Sequence, residues 1–554
     1  MMGAMLPRWV RTPPPPSLVV AEPTAPIARE RALAELGDGD FDLLVIGAGI
    51  IGSRIALDAA AGGLRVALLD AADLGGATSS SSSKLVHGGL RYLATGDVRR
   101  VREAHHERRA LVHRIAPHLV RPLPFLLPAY RGGPHRAPTL AAGLLLYASL
   151  SAFRDSHMRL LTPQRARRLV PALRLDDCIG AGMYLDAQTH DHRLCLATAR
   201  GAADAGAVVV NYARVVELTP ARGRIGGAVV VAEGSPDPIV VRATAVVNAA
   251  GPWVDAVRRL EDPRAAPVAR LSKGVHLLLA RPEPWGAAVV APVDRYRVTF
   301  AIPWEGLLLL GTTDTPYHGD PGQVEVSRTD VEGVLAEAAG ALEAAWLGPE
   351  RVRSCFAGLR VLPRSPDDPS RTPRERLLRR GPLGMVSVAG GKLTTHRRIA
   401  HEVLGLLHHA GDLPAVPISE QPLPGAAHAT ERALATVVER IGERFPELAA
   451  DSCRHLAHLY GSAVHPLLAE ARRLPQGLTR IHPDGPDIWA QVTHAVRQEW
   501  ALHPADVVRR RTTLAARGLD SPELVEEVAR VMATAVGAAV GAAVGAAPGW
   551  TDPP

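Results

Sequence analysis

The sequence predicts an α/β fold: a parallel sheet opening on a glycine-rich turn, a β-rich second unit and a helical C-terminal region. Three observations carry it. Residues Phe41 to Asp70 read FDLLVIGAGIIGSRIALDAAAGGLRVALLD, with strand, turn, helix, strand and acid in order. Segments 271–280, 297–303 and 307–312 have β-rich composition. After about Leu423 the pattern is helical to Ala538.

The first element is the apolar run Leu43 to Ile46, a buried parallel strand. It runs into Gly47-Ala48-Gly49-Ile50-Ile51-Gly52, a G-x-G-x-x-G turn. Gly47 allows the tight turn, Gly49 lets the backbone approach a pyrophosphate, and Gly52 lets the next helix pack on the strand. The Ala-rich helix breaks at Gly62-Gly63, and a second strand, Val66 to Leu69, ends on Asp70. An acid at that distance accepts hydrogen bonds from ribose hydroxyls. The helix N-terminus offers N–H groups and a positive dipole end to phosphates. The unit reads as a dinucleotide site.

Glu103 to Leu119 reads as an amphipathic helix closed by a Pro-rich segment. Its histidines, His105, His106, His113 and His118, are expected on a solvated face, since no facing metal ligands accompany them. Leu196 to Ala205 is a helix and Ala207 to Asn211 a strand. Ala245 to Asn248 is another buried strand, ending in Ala249-Ala250-Gly251-Pro252-Trp253. Met385 to Ala389 repeats the pattern, and Gly390-Gly391 opens a helix.

The 554 residues, 47% hydrophobic and 21% charged, suffice for roughly three or four domain-sized cores of a soluble globular protein. The net charge is +7 and the pI about 9.5. The charge is scattered in clusters such as Arg99, Arg100 and Arg102, or Arg165, Arg167 and Arg168. Solvated faces or an anionic surface or substrate explain it. Nucleic acid is not expected, because no recognition motif accompanies the charge. Cys178, Cys195, Cys355 and Cys453 form no C-x-x-C pair and read as reduced core thiols, so no metal site is expected. Residues 1–40 read as a disordered Pro-rich extension, with no apolar run of membrane-crossing length. Val531 to Ala547, with Gly537, Gly541 and Gly545, reads as a low-complexity tail.

IGAGIIGSRIALDAA, ATSSSSSKLVHGGLRYL, NAAGPWV, KGVHL, IPW, GTTDT, GGKLTT and EWALHPADVVRRRT occur in this order between about Phe41 and Leu514. Together they resemble the FAD-dependent glycerol-3-phosphate dehydrogenase family. The resemblance implies FAD as cofactor and oxidation of sn-glycerol 3-phosphate to dihydroxyacetone phosphate, with electrons passed to a quinone. Oxygen as acceptor, or a D-amino-acid or sarcosine-type flavin oxidase, are the alternatives.

By that resemblance His276, Arg360 and Lys392 are the catalytic residues. His276 takes the hydroxyl proton, a task suited to a side chain that titrates near neutrality. Arg360 binds phosphate or polarises the forming carbonyl with two donors. Lys392 and the helix start beside it stabilise the reduced flavin edge. Arg91, Tyr92, Lys273 and Thr395 are expected at the substrate, with Asp191 and Arg193 as orienting residues. Gly47, Gly49, Gly52, Asp70, Thr78, Ser79, Ser83, Lys84, His87, Gly88, Gly251, Gly391 and Lys392 are expected at the cofactor. Small hydroxyls and glycines there let backbone approach a flat ring. His396 stands where the family usually has Tyr.

The implied architecture is a two-dinucleotide-type FAD-binding domain (41–265, returning at 351–423), a β-rich substrate domain (266–350) and a helical C-terminal domain (424–530), with a tail at 531–554. The C-terminal motif is expected to pack on the flavin domain or make a homodimer contact. A cytoplasmic location, peripheral on an anionic inner membrane face, completes the expectation.

Overall fold

The computed structural model describes residues 29–90, 97–133, 137–151, 158–281, 283–293, 297–364, 376–426 and 431–536. Its first sheet runs, in spatial order, Arg376–Arg380, Val386–Gly390, Ile239–Asn248, Asp40–Ile46, Val66–Leu69 and Val208–Val210. The first two strands are antiparallel and the rest of the path is parallel. Parallel strands are buried on both faces and need continuous apolar runs. Leu43, Leu44 and Val45 satisfy this, each fully buried. Ile46 lies beside both Asn248 and Leu69, so three strand ends open onto one crevice. Open α/β sheets bind ligands at such ends.

The second sheet runs Thr315–Tyr317, Ala269–Ala280, Leu307–Gly311, Val298–Trp304, Ala288–Pro292, Val120–Tyr130, Cys178–Thr189 and Leu85–Val86. Val352–Pro363 pairs along Ala269–Ala280, and Arg159–Leu161 along Cys178–Thr189. Its strands are therefore not confined to 266–350. The chain leaves the first sheet after Asp70, contributes Leu85–Val86, Val120–Tyr130 and Cys178–Thr189 to the second, and returns at Val208–Val210.

Other expectations are corrected. Residues Arg29–Asp38, expected in the disordered extension, form a helix. Leu33 and Leu36, one turn apart, bury against the first sheet, and Arg29 donates to Asn211 Oδ1 at 3.0 Å. Residues 1–28 and the tail beyond 536 lie outside the described residues. The helix expected at 103–119 spans Val98–Ala110 and widens through Leu111–Ile115. Two of its histidines, His105 and His118, are buried in the core rather than solvated. Of the four cysteines, Cys195 and Cys453 are core residues, whereas Cys355 is exposed.

The C-terminal region is helical, with Glu431–Arg444, Ala450–Tyr460, Val464–Ala471, Ala490–Gln498 and Pro522–Val536. Its arginine motif packs on the first sheet. Arg511 grips both oxygens of buried Asp73 at 2.7 and 2.8 Å. Trp500 Nε1 donates to Val209 O at 3.0 Å, and Tyr212 Oη donates to Asp506 Oδ1 at 2.6 Å. A second junction reaches the other sheet. His455 lies between Glu305 Oε2 at 3.2 Å and Asp487 Oδ1 at 2.8 Å, and Arg121 reaches Glu305 Oε1 at 2.9 Å.

Burial opposes charge on His455, but Asp487 and Glu305 outweigh it and raise the imidazole from 6.5 to about 9. A group raised on folding stabilises fully below its unfolded value and ceases to do so as pH rises through the folded one. Thermal stability should therefore decline between pH 6.5 and about 9, and His455→Gln should flatten that alkaline decline. Melting temperatures across this range check it; parallel wild-type and variant curves would refute it.

Candidate active site

The glycine turn is held from three sides. Gly47 has φ +102°, and a Cβ there would lie 2.6 Å from Ala249 O. A Cβ on Gly52 would overlap the Gly47 carbonyl. Both positions therefore require glycine. Gly49 caps the helix Ile50–Ala61 without a side-chain hydrogen bond, and Ile50 N–H donates to Ser79 Oγ at 2.9 Å. Asp70 accepts Ala48 N–H at 2.7 Å and Ala72 N–H at 3.0 Å. Burial pushes its carboxyl up to about 6, against those two amides. Asp70 thus ties down the turn itself. Gly251, at φ +53°, faces open space beside it.

The Ser-rich segment joins the two sheets. Thr78 Oγ1 donates to Leu359 O at 2.7 Å. Ser83 Oγ lies 2.8 Å from His276 Nε2. His87 N–H donates to Thr394 Oγ1 at 3.2 Å, stapling the segment to the Gly390-Gly391 turn. Gly88 N–H donates to Asp186 Oδ1 at 3.0 Å, and a Cβ on Gly88 would overlap the Tyr147 hydroxyl.

His276 and Arg360 share one face of the second sheet. Strand side chains alternate, so cross-strand partners point the same way. Ser272 pairs with Arg360, Gly274 with Gly358 and His276 with Phe356. The His276 ring stacks on Phe356 with centroids 5.0 Å apart. A Cβ on Gly274 would lie 2.6 Å from Arg360 Nη2, so the missing side chain lets the guanidinium lie across the strand toward His276. A Cβ on Gly311 would lie 2.6 Å from His276 Cδ2. Arg360 donates to Thr312 Oγ1 and Thr313 O at 2.8 Å each and sits 3.1 Å from Asp314 Oδ1. Ser272 Oγ also donates to Asp314. Asp314 was missed at the sequence level, although it lies inside GTTDT.

Family models cover nearly the whole described chain. Residues 42–397 match an FAD dependent oxidoreductase model, and residues 418–539 match the C-terminal domain of alpha-glycerophosphate oxidase. Glycerol-3-phosphate dehydrogenase 2 of Mycobacterium bovis is 35% identical over 92% of this chain and 87% of its own length. The glycerol-3-phosphate dehydrogenase of Synechocystis is 35% identical over 88% of this chain and 91% of its own. The chain belongs to the FAD-dependent glycerol-3-phosphate dehydrogenase family. The crystal structure of that enzyme from Bacillus halodurans, complexed with FAD, superposes with TM-score 0.74 at 30% identity, covering 91% of this chain and 92% of that one.

The residues present fit FAD. The glycine turn presents a helix N-terminus at the strand ends whose N-cap residue, Gly49, has no side chain to fill the approach. Gly390 and Gly391, at φ +81° and +110°, bring bare backbone up beside Lys392. Among the described residues, the buried hydroxyl of Thr395 and Nδ1 of His276 have no hydrogen-bond partner.

Some expected site residues lie elsewhere. Lys273 is three positions from His276 and so on the opposite sheet face, where Nζ pairs with Asp330 at 2.7 Å; it is not placed to bind substrate with His276. The Lys84 ammonium is buried and pairs with Asp191 at 2.7 Å. Arg193 faces the helical domain, pairing with Glu499 at 2.7 Å and lying over the Tyr460 ring. Arg91 and Tyr92 lie outside the described residues.

Overpacking such as a Cβ against the Gly47 carbonyl costs about 1–3 kcal/mol. Gly52→Ala should therefore weaken FAD binding by roughly tenfold or more. Fluorimetric titration of the deflavinated protein measures this, and an unchanged affinity would show that the turn has room to spare.

Proposed function

We propose that this chain oxidises sn-glycerol 3-phosphate to dihydroxyacetone phosphate and passes the electrons to a quinone. The observation that carries the reading is the placement of His276 and Arg360 on one sheet face, joined through Ser83 and Ser79 of one segment to the glycine turn of an FAD family member. FAD, when bound, supplies the two-electron acceptor for the hydrogen leaving C2. His276 accepts the C2 hydroxyl proton. Burial, with the cations of Arg360 and Lys84, pushes its imidazole down to about 3, below the near-neutral titration expected from the sequence, so the ring stands neutral but is a weaker base than a free histidine. The Arg360 guanidinium, held in place by Thr312, Thr313 and Asp314, sets its positive charge for the phosphate or the forming carbonyl oxygen. By the family resemblance Lys392, Thr395, Arg91 and Tyr92 are the further residues proposed to act on the substrate.

The quinone reading draws support from the surface. The helix Ala137–Leu150 is apolar on its outer side, with Leu145 and Leu146 exposed. Leu160, opposite Gly182 on the sheet face this helix covers, is also exposed. Arg159, next to Leu160 in the chain, is an exposed cation, as are Arg165 and Arg168 on the helix Pro163–Leu169 over the opposite sheet face. Exposed apolar side chains on a chain of net charge +7 suit an anionic lipid surface. Among the described residues no helix is long and apolar enough to cross a membrane. The reading is therefore peripheral attachment at the cytoplasmic face, where lipid quinone is reached. Oxygen is the second acceptor reading, favoured by the C-terminal match to an oxidase domain.

Anaerobic addition of sn-glycerol 3-phosphate to the FAD-loaded protein should bleach the flavin band, and a soluble quinone should restore it faster than oxygen. Bound flavin that does not bleach would refute the substrate. His276→Gln should lower the bleaching rate by about 10²–10⁴-fold with the flavin still bound.

A further inference from the structure

We propose that Lys84 and Asp191 are positioning residues for His276, acting through Ser83 on the edge of the imidazole and Phe356 on its face. This deepens the reading of His276 as the proton acceptor and rests on it.

Lys84 is a non-glycine residue at φ +57°, in a region that L side chains rarely adopt. Tertiary contacts hold it there. Its N–H donates to Ser82 Oγ at 3.0 Å and its Nζ to Asp191 Oδ1 at 2.7 Å. The ammonium side chain is only 5% exposed and Asp191 is fully buried. A charge sealed this way is no anchor for a diffusing anion.

Asp191 begins the helix Asp191–Asp204 and uses both oxygens. Oδ1 takes Lys84 and the His192 N–H at 3.0 Å; Oδ2 takes the Ser82 N–H at 3.0 Å and the Ser82 hydroxyl at 2.7 Å. Residues 82 and 84 are thereby both pinned to one carboxylate. Ser83 stands between them and has no freedom to swing away. Its hydroxyl sits 2.8 Å from His276 Nε2.

The same ammonium braces the ring's other contact. Lys84 Nζ lies 5.2 Å from the Phe356 ring centroid and 4.9 Å from that of Trp304. Cations are drawn to aromatic faces. Phe356 in turn stacks on His276 with an interplanar angle of 17°. One ion pair therefore fixes the histidine edge-on and face-on together.

The charged groups facing His276 are Arg360 with its partner Asp314, and Lys84 with Asp191 and its neighbour His192. The two members of the buried pair act on the imidazole in opposite senses. The ammonium favours the neutral ring and the carboxylate favours the protonated one.

The test uses the FAD-loaded protein and the pH profile of kcat/KM for sn-glycerol 3-phosphate. Lys84→Met uncovers the carboxylate and removes the cation, so its acid limb should move up by at least one pH unit. Asp191→Asn should not move it up. The double variant, neutral and similar in shape, should return the limb to the wild-type position. Ser83→Ala should lower kcat at least tenfold with KM changed less than threefold. An acid limb that stays at the wild-type position in folded Lys84→Met supports only a folding role and overturns the proposal; should that variant fail to fold, an unchanged kcat in Ser83→Ala overturns it. His276→Gln separates the two levels: wild-type kcat/KM in that variant refutes the proton-acceptor reading itself.

Discussion

The Lys84–Asp191 ion pair anchors the seam along which the two sheets meet. Segment 78–88 touches Leu359 and His276 on the second sheet, and Ile50 and Thr394 on the nucleotide side. His276, the glycine turn and the start of the helix after Gly390-Gly391 are each reached from this strip. Burying two charges is expensive, and the cost is offset only where geometry is good and the remaining donors and acceptors are satisfied. Asp191 meets that demand with Ser82, Lys84 and His192 around it. The gain is placement: small hydroxyls stay at fixed positions without bulky side chains that would fill the crevice.

The helical region extends the same logic outward. Asp73, three residues beyond Asp70, is held by Arg510 and Arg511, and their attraction outweighs burial and keeps its carboxyl far below the usual range. Glu305, in the turn between two strands of the second sheet, meets His190, His455 and Arg121. One domain thus grips both sheets through buried charges. Removing a single partner from such a pair strands the other charge in the core, so these contacts specify one docking arrangement.

Much of the site was legible because it is local. The G-x-G-x-x-G turn, its flanking strands and Asp70 follow from steric need within thirty residues. The strands at 269–280, 298–304 and 307–311 follow from β-rich composition. Lys273 was misplaced although period-two alternation already sets it opposite His276. The helix Arg29–Asp38 was hidden by the Pro-rich stretch before it, though Leu33 and Leu36 carry the spacing of a buried helix face.

By itself the sequence determined the nucleotide unit, the β-rich middle, the helical end and the residue types capable of proton transfer and anion binding, since these depend on neighbours along the chain. The tertiary structure alone decided which of them meet. Lys84 became a buried brace because Asp191, over a hundred residues away, supplies its countercharge. Arg360 reaches toward His276 because Gly274, on another strand, leaves the space. Interleaving of the two sheets likewise arose from strand pairing between segments far apart in sequence. Such pairings depend on which surfaces bury each other, and no local pattern encodes that.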